Sequence, residues 1–126
     1  MMLQGMIGSR LGIWVADGEG KFFSPEEKGL DLILREKLAP IRYIDDQNKI
    51  TTAYPFNPNG SAVGIAALCD PTGRHLAMMP HPERTFLNWQ WAYWPPEWGE
   101  QISPWFKMFQ NAYQWCLKNA TENTEQ

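Results

Sequence analysis

The sequence predicts an α/β fold, and three observations carry the prediction. A nearly continuous apolar run, Val63-Gly64-Ile65-Ala66-Ala67-Leu68-Cys69, suits a strand covered on both faces. Two segments, opening at Ser24-Pro25 and Ser103-Pro104, join a helix-start signature to apolar residues at helical spacing. Around them, short apolar runs alternate with turn residues. The reading gives about five or six short strands and two helices. A covered sheet needs helices on both faces, and two are few, so the sheet is expected to continue into sequence outside this chain.

Taken in order, residues 10–16 read as a strand, Asp17-Gly18-Glu19-Gly20 as a tight bend, and Lys21-Phe22-Phe23 as its continuation. Ser24 can cap a helix, Pro25 fits its first position, and Glu27 can complete a capping box. Leu30, Ile33, Leu34 and Leu38 then share one helical face, with Pro40 as the stop. Residues 41–44 and 50–54 read as a hairpin around Asp45-Asp46-Gln47-Asn48. Pro55-Phe56-Asn57-Pro58-Asn59-Gly60-Ser61 is a shaped loop. The apolar run to Cys69 turns at Asp70-Pro71-Thr72-Gly73 and returns as His75 to Met79, a second hairpin. In the last helix, Trp105, Phe109, Ala112 and Cys116 form the expected buried stripe, helped by Met108 and Tyr113.

Composition narrows the function classes. The 126 residues are 44% hydrophobic and 20% charged, enough for one small domain with a core. The net charge of −3 with no basic block gives no support for phosphate neutralisation, so no nucleic-acid partner is expected. Cys69 and Cys116 are far apart and form no metal-ligand cluster; a reduced, cytoplasmic chain is the expectation. No apolar stretch approaches a membrane span, and the start lacks the pattern of a signal peptide. Five of the seven tryptophans fall between Trp89 and Trp105. Such a cluster must pack against something or bind something, a sugar or a Pro-rich peptide among the candidates.

The chemistry-bearing candidate is His81-Pro82-Glu83, where the second hairpin ends. An imidazole with a nearby carboxylate to orient it is suited to activating a thiol. In isolation such a tripeptide is more often a structural turn. No nucleophile sits in a glycine-flanked elbow: Cys69 ends an apolar run before an Asp-Pro turn and reads as a small buried hydrophobe, and Cys116 as core. His75 reads as a strand-end surface histidine. The Asp17–Gly20 bend matches no calcium-loop spacing and lacks the lysine of a phosphate loop. For Asn57 to Ser61, a substrate contact and a plain turn stay equally open.

The order of several motifs resembles a known family. These are Leu3-Gln4-Gly5-Met6, Gly8-Ser9-Arg10-Leu11, Trp14-Val15-Ala16 with Gly18-Glu19-Gly20, residues 54–61, residues 73–84, and Trp89-Gln90-Trp91. Together, over roughly residues 3–118, they resemble the C-terminal part of the class I (Cys-His-Glu triad) glutamine amidotransferase domain of the phosphoribosylformylglycinamidine synthase family. The resemblance implies a partial α/β domain, its sheet flanked by helices, whose N-terminal part with the Gly-x-Cys-x-Gly elbow is missing from this chain. Residues 1–119 would be the C-terminal portion of that domain and 120–126 a polar tail.

It further implies that His81 is the catalytic base and Glu83 its orienting carboxylate, in an ATP-dependent ligase of purine biosynthesis that takes ammonia from glutamine. The partners implied are glutamine and the remainder of the synthase, with no nucleic acid and no membrane. No cofactor is expected within the chain; ATP and magnesium belong to the synthetase part. Where the family pattern has histidine, this chain has Asp17, which changes charge and hydrogen bonding at that bend. Without the thiol, the isolated chain is expected to be inactive. The alternative reading is a catalytically inactive truncated relic or a Trp-rich interaction module.

Overall fold

Ile65–Cys69 is the central strand, and its residues explain why. Ile65, Ala66 and Ala67 are all buried, at 1%, 1% and 3% exposure, so both faces of the strand are covered. In chain order the strands are β1 (Ile41–Arg42), β2 (Ile65–Cys69) and β3 (Leu76–Met78), arranged β1-β2-β3 and antiparallel throughout. Ala67 pairs with Met78 and Cys69 with Leu76, the hairpin that the sequence predicts. The computed structural model describes residues 1–122. They divide into two compact units, Val15–His81 and the combination of Met1–Trp14 with the chain from Pro82 onward.

The Val15–His81 unit holds the sheet and helix α1 (Glu27–Arg35). The expected capping box does not form: the Ser24 hydroxyl donates instead to the Glu26 carbonyl (2.7 Å), and Glu26 occupies the cap position. The helix also stops before Pro40. Leu38 N donates to Ile33 O (2.9 Å) and Lys37 N to Leu34 O (3.2 Å), a Schellman closure with Lys37 at φ +56°. Ile44 and Ile50 form one bridge, and Asp45 Oδ1 accepts from Gln47 N and Lys49 N to close the turn between them.

Three strands replace the expected five or six among the described residues. Residues 10–16 are extended chain with a single bridge position at Trp14. One reason is visible at Gly12, whose carbonyl is taken by Trp105 Nε1 (2.8 Å) and not by a neighbouring strand.

In the other unit, helix α2 (Phe106–Glu122) begins with three i→i−3 bonds: Phe106 N to Ser103 O, Lys107 N to Pro104 O and Met108 N to Trp105 O. Ser103 Oγ also accepts from Trp105 N (3.3 Å), so Ser103 does serve the helix start. The tight first turn changes the phase of the helix. Trp105 and Met108 are buried, with Ala112 and Trp115 half-buried behind them, whereas Phe109, Tyr113 and Cys116 are exposed. Phe109, Cys116 and the expected helper Tyr113 therefore leave the core stripe, whereas Met108, the other expected helper, lies within it. Asn111 Nδ2 donates to Met2 O and Gln4 O, both at 2.8 Å, which ties the first turns of the chain to α2. The helix runs through positions 120–122 of the expected polar tail; 123–126 lie outside the described residues. No helix among the described residues is long and apolar enough to cross a membrane.

Candidate active site

Strand β3 leads directly to the His-Pro-Glu segment. Met79 N still bonds to Ala66 O (3.1 Å), one residue beyond the strand. Pro80 and Pro82 have no N–H to give, which ends the regular β2–β3 ladder and leaves His81 as a single bridge position between them. His81, half-buried, is thereby set just beyond the end of a buried hairpin, as the last residue of the Val15–His81 unit. Pro82–Arg84 forms one 3-10 turn at the start of the next unit, with Pro82 buried and Glu83 exposed. Chain connectivity places the imidazole and carboxylate two residues apart, separated by the rigid Pro82.

The other residues singled out by sequence have structural partners. His75 stands at the opposite end of β3, 85% exposed, with Nδ1 3.6 Å from Asp70 Oδ2. Asp70 is the hub of the hairpin turn. The Thr72 hydroxyl, then the His75 backbone N–H, hold its carboxyl well below the usual carboxylate range. Cys69 is half-buried at the end of β2, its N–H donating to Leu38 O (2.9 Å), with nothing of a nucleophile elbow around it.

Asn57 and Ser61 settle the role of the shaped loop as far as these two side chains are concerned. Both are 1% exposed, and the Asn57 side chain pairs with both polar groups of the Ser61 backbone: Asn57 Nδ2 donates to Ser61 O (3.0 Å), and Ser61 N donates to Asn57 Oδ1 (2.9 Å). Ser61 Oγ accepts from Phe22 N (2.9 Å). These groups hold the loop and have little left for a substrate. The Trp cluster is likewise engaged in packing. Trp91, Trp94 and Trp98 meet edge-to-face, with centroids 5.0–5.6 Å apart. Trp89 remains 75% exposed.

Two features were not anticipated from sequence. An open cavity of about 260 Å³ lies along β2 and β3, lined by Phe22, Ile65, Leu68 and Met78 with Lys21 as its one charged residue. Its lining offers apolar burial, not acid–base chemistry. Thr85 and Ser103 are both 2% exposed, polar side chains inside an aromatic surround. Only the Thr immediately after His-Pro-Glu-Arg and the Ser before Pro104 could have signalled them. No group of three or more His, Cys, Asp or Glu among the described residues is placed to hold a metal ion.

Comparison with known proteins follows the same segment. Residues 1–116 match the CobB/CobQ-like glutamine amidotransferase domain family. The chain is 58% identical over 118 residues to a probable phosphoribosylformylglycinamidine synthase, chloroplastic/mitochondrial, of Arabidopsis thaliana, covering 91% of this chain and 8% of that protein. It is 48% identical over 122 residues to phosphoribosylformylglycinamidine synthase of Dictyostelium discoideum, covering 92% and 9%. Against the Homo sapiens protein of the same name it is 46% identical over 123 residues, covering 95% and 9%. The chain thus spans less than a tenth of the length of these relatives.

Proposed function

Because this chain belongs to the CobB/CobQ-like glutamine amidotransferase domain family, we propose that it supplies the base and orienting carboxylate of a class I glutaminase site. The site serves a phosphoribosylformylglycinamidine synthase of purine biosynthesis. His81 is the base and Glu83 the carboxylate that orients it. The observation that carries this reading is the His81-Pro82-Glu83 segment set by proline at the end of the β2–β3 hairpin, within a match that covers residues 1–116.

The thiol comes from the nucleophile-bearing part of the enzyme. His81 takes the thiol proton, and the thiolate adds to the side-chain carbonyl carbon of glutamine. The imidazolium returns the proton to the leaving nitrogen as the C–N bond breaks, releasing ammonia and leaving an acyl thioester. Water, deprotonated by His81, then cleaves the thioester to glutamate, and the thiol recovers its proton. Glu83 holds one ring N–H of the imidazole and stabilises its charged form during each transfer.

ATP and magnesium act, on this reading, in the synthetase part, where the ammonia amidates formylglycinamide ribonucleotide. The Asp17–Gly20 bend turns carbonyl and carboxylate oxygens toward Asn59 Nδ2, and such acceptors oppose a phosphate, which needs N–H donors.

The test is complementation. The purified 126-residue chain should show no glutamine turnover alone, and should restore it when combined with a relative's synthase lacking the corresponding C-terminal segment. His81→Asn should abolish the restored activity. Turnover by the isolated chain, or full activity of His81→Asn in the complemented enzyme, would overturn the assignment.

A further inference from the structure

We propose that Thr85, Ser103 and Trp91 are positioning residues for Glu83, locking the Pro82–Arg84 turn through a closed hydrogen-bond network. The inference rests on the role proposed above for Glu83, and it concerns groups within one unit of the structure.

The network begins at the carbonyl of Pro82. It accepts from both Thr85 N (3.0 Å) and Thr85 Oγ1 (3.2 Å), so both of its lone pairs are used by one residue. The Thr85 carbonyl is saturated in turn: it accepts from the Ser103 hydroxyl and from Trp91 Nε1 (2.8 Å). Ser103 Oγ, besides donating to Thr85, accepts from Trp91 Nε1 (3.0 Å) and Trp105 N (3.3 Å). Thr85, Ser103 and Pro82 are all buried. A buried hydroxyl left without its partner is costly, so such a network favours one arrangement over its neighbours.

Glu83 itself is exposed and lies inside the turn whose carbonyl is fixed this way. An exposed glutamate on a free loop would sample many rotamers and lose side-chain entropy on meeting the imidazole. A rigid turn removes the backbone share of that cost. The network therefore does more than stabilise the fold: it links the start of α2, through Ser103, to the carboxylate two residues after His81.

The chain contains two histidines, which provides the experiment. Long-range nitrogen–proton NMR spectra of the full chain, recorded under alkaline conditions where neutral imidazole dominates, report the tautomer of each ring separately. His81 held by Glu83 should show a single tautomer, and Glu83→Ala should move it to the averaged pattern. Thr85→Val should cause a shift of His81 in the same direction and comparable size, Thr85→Ser should restore the original spectrum, and His75 should stay fixed throughout. A loss of fold alone would move both histidines. Should Thr85→Val not fold, Trp91→Phe, which deletes the indole N–H and keeps a ring, is expected to shift His81 likewise.

If Glu83→Ala moves His81 while folded Thr85→Val and Trp91→Phe leave it unchanged, the positioning role is wrong and the His81–Glu83 reading stands. If Glu83→Ala itself leaves His81 unchanged, the His81–Glu83 reading fails and takes this inference with it.

Discussion

Asn59 clasps Asp17: its Nδ2 lies 3.1 Å from the Asp17 carboxylate Oδ2 and 3.2 Å from the Asp17 carbonyl oxygen. The same nitrogen is 2.9 Å from the Gly20 carbonyl, so one side-chain amide shares its two hydrogens among three acceptors around the bend. Asp17 Oδ1 is buried and has no hydrogen-bond partner among the described residues. The carboxylate is thus held by one oxygen and strained in solvation at the other.

Asn59→Ala should remove the clasp. The expected cost is about 1–3 kcal/mol, since one part-buried amide with several acceptors is lost and the carbonyls it served are left to water. Urea denaturation of the variant against the parent chain measures it. Asn59→Asp should cost more, because it sets a second carboxylate against Asp17. Equal midpoints for all three proteins would show that the clasp contributes nothing.

Tyr43 feels the same carboxylate. Burial, and secondarily the charge of Asp17, push its hydroxyl up from 10.0 to about 12. The folded state keeps the phenol proton at pH values where the unfolded chain has lost it. Stability should therefore be intact below pH 10 and fall as pH rises toward 12, with a slope of at most about 1.4 kcal/mol per pH unit from this group. Tyr43→Phe should remove that contribution, and Asp17→Asn should reduce it. Denaturant midpoints compared between pH 9.5 and pH 11.5 give the answer, and an identical alkaline loss in Tyr43→Phe would contradict it.

Lys37 occupies a left-handed position, φ +56°, in the Schellman closure of α1. A side chain there carries a steric penalty that glycine does not. Lys37→Gly should stabilise the chain by up to about 1 kcal/mol, read as a raised thermal midpoint. A lowered midpoint would mean that the lysine side chain contributes more than its backbone conformation costs.

The same helix shows what the sequence reading could and could not reach. Its apolar spacing and approximate limits were legible, because Leu30, Ile33 and Leu34 repeat with helical period. Its ends were not, because Ser24 bonds to Glu26 and Lys37 closes the helix without glycine; both are local choices with no strong compositional signature. The β2–β3 hairpin was legible from its apolar run and Asp-Pro-Thr-Gly turn. Residues 10–16 were over-read because an apolar alternating segment looks the same whether its backbone bonds to a strand or, as Gly12 does, to a tryptophan side chain. His81 and Glu83 were legible only as a motif at a strand end. The buried Thr85–Ser103 network was invisible, since nothing local marks the Ser103 hydroxyl and the Thr85 carbonyl, eighteen residues apart, as partners.

Gly64 carries the last prediction. The chain must leave the shaped loop and enter β2 within two residues, and it does so through Val63 at φ +50° and Gly64 at φ +66°. A Cβ at Gly64 would stand 2.8 Å from Ile50 Cγ2, 3.0 Å from the Tyr43 carbonyl oxygen and 3.1 Å from the Thr51 carbonyl oxygen. Two of those atoms are backbone, and the Tyr43 carbonyl already accepts from Thr51 N (3.1 Å), so the hairpin around Ile44 and Ile50 would have to open. The carbonyl of Gly64 also accepts from Tyr43 N (2.7 Å), which ties β2 to the segment after β1. Gly64→Ala should therefore combine a left-handed backbone penalty with overpacking, about 2–4 kcal/mol in total. Val63→Gly, at the neighbouring left-handed position, relieves strain without adding an atom and should leave the chain as stable or more so. Circular dichroism melts of the two variants separate the cases. A Gly64→Ala chain as stable as its parent would mean that the loop and hairpin can part at little cost, and that the approach of the 43–51 segment to β2 is not what holds this end of the sheet.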